Sequence, residues 1–93
     1  MADYTRYAAS GEINSTLDSA KAQTERMEAV VDAFAGRAES VDRLDGVTVD
    51  LGDGTWFNLR ASNTEPLLRL NAEAPTSQDV GAVVDEVLAI VRA

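Results

Sequence analysis

The sequence predicts an α+β fold, a four-stranded antiparallel sheet with two helices packed on one face. Three observations carry this reading. Apolar residues recur at helical spacing in two separate stretches, the apolar period between those stretches falls to two, and 93 residues suffice for one core of two packed layers.

The first element is a short strand in which Ile13, Ser15 and Leu17 share one side. Ala20, Met27, Val30, Val31 and Phe34 follow at helical spacing, with Lys21, Glu25, Glu28 and Asp32 on the opposite face, so a helix is predicted over about 18–35. Asp18 is its expected N-cap. Gly36 is the expected C′ residue, since glycine enters the left-handed conformation at little steric cost. Val47, Val49 and Leu51 then alternate with Thr48 and Asp50, Gly52-Asp53-Gly54 supplies turn chemistry, and Phe57 and Leu59 alternate with Asn58 and Arg60. That pattern is a β-hairpin. Leu68, Leu70 and Ala72 alternate with Arg69, Asn71 and Glu73 in a further strand, which Pro66 opens where a missing N–H matters least. Pro75 ends it. Behind the hydroxyls of Thr76 and Ser77 and the early charge of Asp79, the stripe Val80, Val83, Val84, Val87, Leu88 and Val91 makes the second helix. Residues 1–10 are expected as an arm or hinge segment, with Tyr4 and Tyr7 either anchoring it or contacting a neighbour, and 11–93 as the domain.

Composition narrows the chemistry. With no cysteine and no histidine, disulfide frameworks, zinc fingers, Cys nucleophiles and His-dependent triads are excluded. What remains is carboxylates, arginines, hydroxyls and backbone groups. A formal net charge of −8 opposes phosphate-backbone binding, so nucleic acid is not an expected partner. Neither a long apolar run nor a basic segment ahead of one occurs, so no membrane association is expected and the location expected is cytoplasmic. At 45% hydrophobic residues in periodic order, the chain is predicted to fold despite its acidity.

One constellation stands out at the second hairpin. If Ser62 to Glu65 make a four-residue turn, Ala61 faces Pro66 and Arg60 faces Leu67. Phe57, Leu59, Ala61, Leu68, Leu70 and Ala72 then point to the core, while Asn58, Arg60, Arg69, Asn71 and Glu73 share the other side. Arg60 and Arg69 become diagonal neighbours, roughly 7 to 8 Å apart, where an anion between them would relieve their repulsion. Hydroxyls at Ser62 and Thr64, the Asn63 amide and turn N–H groups are complementary donors for a phosphate. The competing reading of the same spacing makes both arginines solvated sheet residues paired with Glu65 or Glu73. Trp56, beside the turn, is expected as an amphipathic cover on the polar face. Asp50-Leu51-Gly52-Asp53-Gly54 is read as a turn and not a metal loop, because it has only two carboxylates. No metal or other cofactor is expected in this chain.

Residues 60–69, Arg-Ala-Ser-Asn-Thr-Glu-Pro-Leu-Leu-Arg, resemble the phosphate-binding loop near the C-terminus of the α-D-phosphohexomutases, the phosphomannomutase and phosphoglucomutase family. The pattern falls without a gap on Arg60, Ser62, Thr64, Glu65, Pro66 and Arg69. Leu44-Asp45-Gly46-Val47 and Ser10-Gly11-Glu12-Ile13-Asn14 also resemble that family's last domain and the segment leading into it. Asn63 is similar to the bacterial phosphomannomutases at a position where many relatives have Gly. The resemblance implies a TATA-box-binding-protein-like domain, with substrate-phosphate contacts at Arg60, Ser62, Asn63, Thr64 and Arg69. It further implies that the full enzyme interconverts hexose 1-phosphate and hexose 6-phosphate through a phosphoserine, with Mg2+, in preceding domains that nothing here resembles. The partners implied are a mannose or glucose phosphate and those preceding domains. The isolated chain is expected to be inactive. A stand-alone acidic module that binds another protein is the alternative, and it predicts indifference to phosphate.

Overall fold

The computed structural model describes residues 8–43, 46–62 and 64–92. In chain order the elements are β1 (Ala8–Ala9), β2 (Ile13–Thr16), α1 (Ala20–Phe34), β3 (Ser40–Asp42), β4 (Val47–Asp50), β5 (Trp56–Ala61), β6 (Leu67–Ala74) and α2 (Ser77–Val91). Val30 and Phe34 of α1, Val83, Val87 and Val91 of α2, and Val47, Val49, Phe57, Leu59, Leu68, Leu70 and Ala72 of the sheet form one core. Both helices therefore cover the same face, and the α+β class holds. The rings of Phe34 and Phe57 meet edge to face at 5.0 Å, joining α1 to the centre of the sheet.

Among the described residues the sheet has six strands rather than four, ordered β1-β6-β5-β4-β3, with β2 also on β6. Both additions lie at its edges. β1 and β2 pair with the same side of β6: Ala9 faces Glu73 and Ile13 faces Leu70, so four steps along one strand answer three along the other. This is a one-residue bulge, with Gly11 at φ +72° and Ser10 exchanging hydrogen bonds with Ala72. At the other edge β3 pairs with β4 although all its residues are exposed, so no apolar alternation marks it.

The helix limits also differ in detail. α1 begins at Ala20, and its N-cap is Ser19 instead of Asp18, with extended backbone and Oγ accepting from the Ala22 N–H at 3.2 Å. Gly36 is not left-handed; the helix runs out through Arg37 and Ala38 N–H groups that both donate to the Phe34 carbonyl. α2 is capped as expected, Thr76 Oγ1 accepting from Asp79 N–H at 3.1 Å.

The β5–β6 register is shifted by two residues from the expected one. Arg60 stands directly opposite Arg69, Asn58 opposite Asn71 and Ala61 opposite Leu68. The hairpin closes where Ser62 N–H donates to the Leu67 carbonyl at 3.0 Å, which leaves Pro66 inside the connection; a prolyl nitrogen has no hydrogen for a ladder bond. A shift of two preserves the faces, because side chains alternate with period two. Trp56, Asn58 and Arg60 thus lie with Arg69, Asn71 and Glu73 on the uncovered face.

Candidate anion-binding site

The site lies at the β5–β6 end of the uncovered face. Arg60 and Arg69 form a direct cross-strand pair, and Asn14 of β2 extends the row beside Arg69. Directly opposed Cβ atoms lie about 4.5 to 5.5 Å apart, closer than the diagonal spacing expected, so the two like charges start from closer positions on the sheet. Both arginines are exposed at the rim of a cavity of about 230 Å³ lined by Arg60, Ala61, Ser62, Thr64 and Arg69. Whole small-molecule sites usually occupy about 300 to 1,000 Å³, so this one is of a size for a charged group and not for a complete ligand.

The connection after β5 gathers donors. Ser62 Oγ accepts from the N–H of Thr64 at 3.3 Å and of Glu65 at 3.4 Å, and lies 3.3 Å from Thr64 Oγ1. Two backbone N–H groups thus converge on one oxygen, an arrangement that an anion's oxygen can equally satisfy. Four of the five residues expected at a phosphate, Arg60, Ser62, Thr64 and Arg69, line one cavity; Asn63 lies outside the described residues, as do Tyr4, Tyr7, Leu44 and Asp45. Arg60 also lines a second, open groove of about 480 Å³ with Asp42, Thr48, Trp56, Asn58, Asn71 and Glu73.

Two residues shape the site that periodicity did not single out for it. Gly46, at φ +77°, precedes β4; a Cβ there would stand 2.7 Å from Arg60 Cγ and 2.6 Å from the Leu59 carbonyl oxygen. The Arg60 stem therefore packs into space that only glycine leaves open. Gln23, on the inner face of α1, is 6% exposed, and its Nε2 donates to the carbonyls of Leu67 at 2.7 Å and of Ser62 and Glu65 at 3.2 Å each. The signal that could have found it is the stripe itself, since Gln23, Met27, Val30 and Phe34 follow helical spacing and a polar residue holds the first position. Ala20, the expected start of that stripe, is exposed.

Among the described residues no three carboxylates cluster. Asp50 and Asp53 serve the turn instead, their Oδ1 atoms accepting from the N–H of Gly52 at 2.8 Å and of Thr55 at 3.1 Å, between glycines at φ +88° and +89°.

The fold is thus an α+β domain with paired arginines beside a hydroxyl-bearing loop, on the sheet face that the helices leave uncovered. More particularly, residues 12–90 match the family model described as phosphoglucomutase/phosphomannomutase, C-terminal domain, and the chain belongs to that family. It is 51% identical over 69 residues to a phosphomannomutase of Salmonella typhimurium, covering 73% of this chain and 14% of that protein. A phosphomannomutase of Methanocaldococcus jannaschii is 39% identical over 85 residues, 91% of this chain and 18% of the relative. A crystal structure of a phosphoglucomutase/phosphomannomutase family protein from Burkholderia thailandensis superposes with a TM-score of 0.65 over 91% of this chain and 18% of that one, at 23% identity, and shares the fold. The chain therefore spans less than a fifth of the length of these relatives.

Proposed function

We propose that this domain binds the phosphate group of a phosphosugar and holds it while chemistry proceeds elsewhere in a larger phosphomannomutase or phosphoglucomutase. The carrying observation is the convergence of Arg60, Arg69, Ser62 and Thr64 on one cavity at the end of the β5–β6 hairpin. Two guanidinium groups supply charge and directed N–H donors, while the small hydroxyl residues let phosphate oxygens approach the backbone. Asn63 joins these ligands in this reading. Fixed donors of this kind position a substrate and neutralise its charge without taking part in bond making.

Interconversion of hexose 1- and 6-phosphates is the activity we assign to the whole enzyme, on the relatives' names. The cavity itself is lined by Arg60, Ala61, Ser62, Thr64 and Arg69, and in this reading the nucleophile and the metal belong to other domains. Residues 1–10 then serve as the arm leading into this domain, with Ala8 and Ala9 docked on β6. A cytoplasmic location and no nucleic-acid partner go with this reading; no described helix is long and apolar enough to cross a membrane.

An NMR titration of the 93-residue chain with inorganic phosphate or mannose 6-phosphate tests it. The largest amide shifts are expected within residues 58–71, with affinity of about 1 mM because sugar contacts from other domains are lacking. Shifts centred elsewhere would refute the assignment. Mutase turnover by this chain alone, abolished by Ser62→Ala, would show that the loop is catalytic.

A further inference from the structure

We infer that Gln23 is a positioning residue of the anion site: from the buried side of α1 it holds the loop carbonyls away from the cavity, so that an incoming phosphate meets only donors. The inference rests on the phosphate-binding reading above and adds to it a residue from a different element.

The geometry is specific. A carbonyl oxygen carries partial negative charge, and every carbonyl turned toward the cavity would oppose an anion there. The loop has more carbonyls than its own backbone can occupy. The Leu67 carbonyl already accepts from Ser62 N–H and the Glu65 carbonyl from Leu67 N–H, whereas among the described residues the Ser62 carbonyl takes no such turn bond. Gln23 Nε2 collects the carbonyls of Ser62, Glu65 and Leu67 on the helix side, sharing two hydrogens among three acceptors. A peptide plane is rigid, so fixing its oxygen fixes the whole group. The cavity, by contrast, is lined by Arg60, Ala61, Ser62, Thr64 and Arg69, and Gln23 does not line it. Gln23 therefore acts through the loop and not on the ligand. At 6% exposure the amide sits where stripe spacing calls for an apolar residue, and a buried amide is costly unless its hydrogens are used. The sites of use lie 39 to 44 residues away in sequence, in the loop and at the first residue of β6.

The first test is on the wild-type chain, with inorganic phosphate as the probe. The Gln23 side-chain NH2 resonances are expected to exchange slowly with solvent and to shift during the titration with the same midpoint as the Thr64 and Glu65 amides. If the chain responds to phosphate while those resonances exchange freely or stay fixed, the inference falls and the phosphate reading stands. If no part of the spectrum responds to phosphate, the phosphate reading falls and this inference with it. The second test is Gln23→Met, which keeps length and removes the donors. Phosphate affinity is expected to drop about tenfold, less than the roughly thirtyfold for a lost direct contact, because Gln23 acts only through the loop. Val87→Ala, a core truncation under α2, is expected to lose stability and keep wild-type affinity. A folded Gln23→Met chain that binds phosphate within twofold of wild type would reduce Gln23 to a structural residue.

Discussion

Arg69→Ala separates binding from folding, because the structure predicts effects of opposite sign on the two. Arg69 is exposed and stands directly opposite Arg60, so its removal relieves a like-charge pair whose cost is about 0.2 to 1 kcal/mol. Stability without ligand should be unchanged or slightly higher. In binding, a lost charge-assisted contact costs about 2 kcal/mol, or roughly thirtyfold in affinity, which takes a Kd of about 1 mM to about 30 mM. At 10 mM phosphate the wild-type chain then gains about 1.4 kcal/mol from ligand and the variant about 0.2 kcal/mol. For a domain of this size the difference is large, a melting temperature raised by about 6 to 11 °C in one case and about 1 °C in the other. Thermal unfolding followed by circular dichroism, with chloride at matched ionic strength as the control, reads both quantities. If Arg69→Ala unfolded the chain while the phosphate-induced rise survived, the residue would be structural and the anion argument wrong.

Leu59 is 1% exposed between Val47 and Leu70, so Leu59→Asp buries a carboxylate at a cost of several kcal/mol against a total stability of about 5 to 10, and the chain should unfold. Asn58→Asp on the opposite face loses the Nδ2 donor to Thr48 Oγ1 and should cost only about 1 to 2 kcal/mol in urea denaturation; equal losses for the two would overturn the register. Gly46→Ala should weaken phosphate binding as well as stability, since its Cβ displaces the Arg60 stem, whereas Gly52→Ala, at a similar φ but facing only the flexible Glu39 side chain, should cost about 1 to 2 kcal/mol and leave titrations unchanged. Arg43 donates to both carboxylate oxygens of Glu28, and this hydrogen bonding holds the Glu28 carboxyl below its usual range. A carboxyl with a depressed folded pKa stabilises above its unfolded value, about 4.3, and loses that contribution as pH falls through the folded one. Urea midpoints should therefore differ between wild type and Arg43→Gln at pH 6 and converge as acid protonates Glu28; a constant difference would show that the pair acts by packing alone.

What the sequence by itself determined is what local periodicity encodes. The stripe from Val80 to Val91 and the alternation from Val47 to Leu59 and from Leu68 to Ala72 are properties of neighbouring residues, so the helices, the hairpins and the sidedness of the arginines were legible. The phosphate-binding pattern was legible for the same reason, since Arg60 to Arg69 are consecutive. The tertiary structure decided what depends on groups distant along the chain. Which residue closes the hairpin depends on a hydrogen bond across it, from Ser62 to Leu67, and on the inability of Pro66 to make one; this made Arg60 and Arg69 opposed instead of diagonal. The added strands β1 and β3 carry no apolar alternation, and β3 exists because β4 offers its free hydrogen-bonding edge. Gly46 shows its use only when Arg60 lies against it, and Gln23 only when the loop is brought to α1. Propensity and period are written within a few residues, but a hydrogen bond between residues 23 and 67 is chosen by the fold that brings them together.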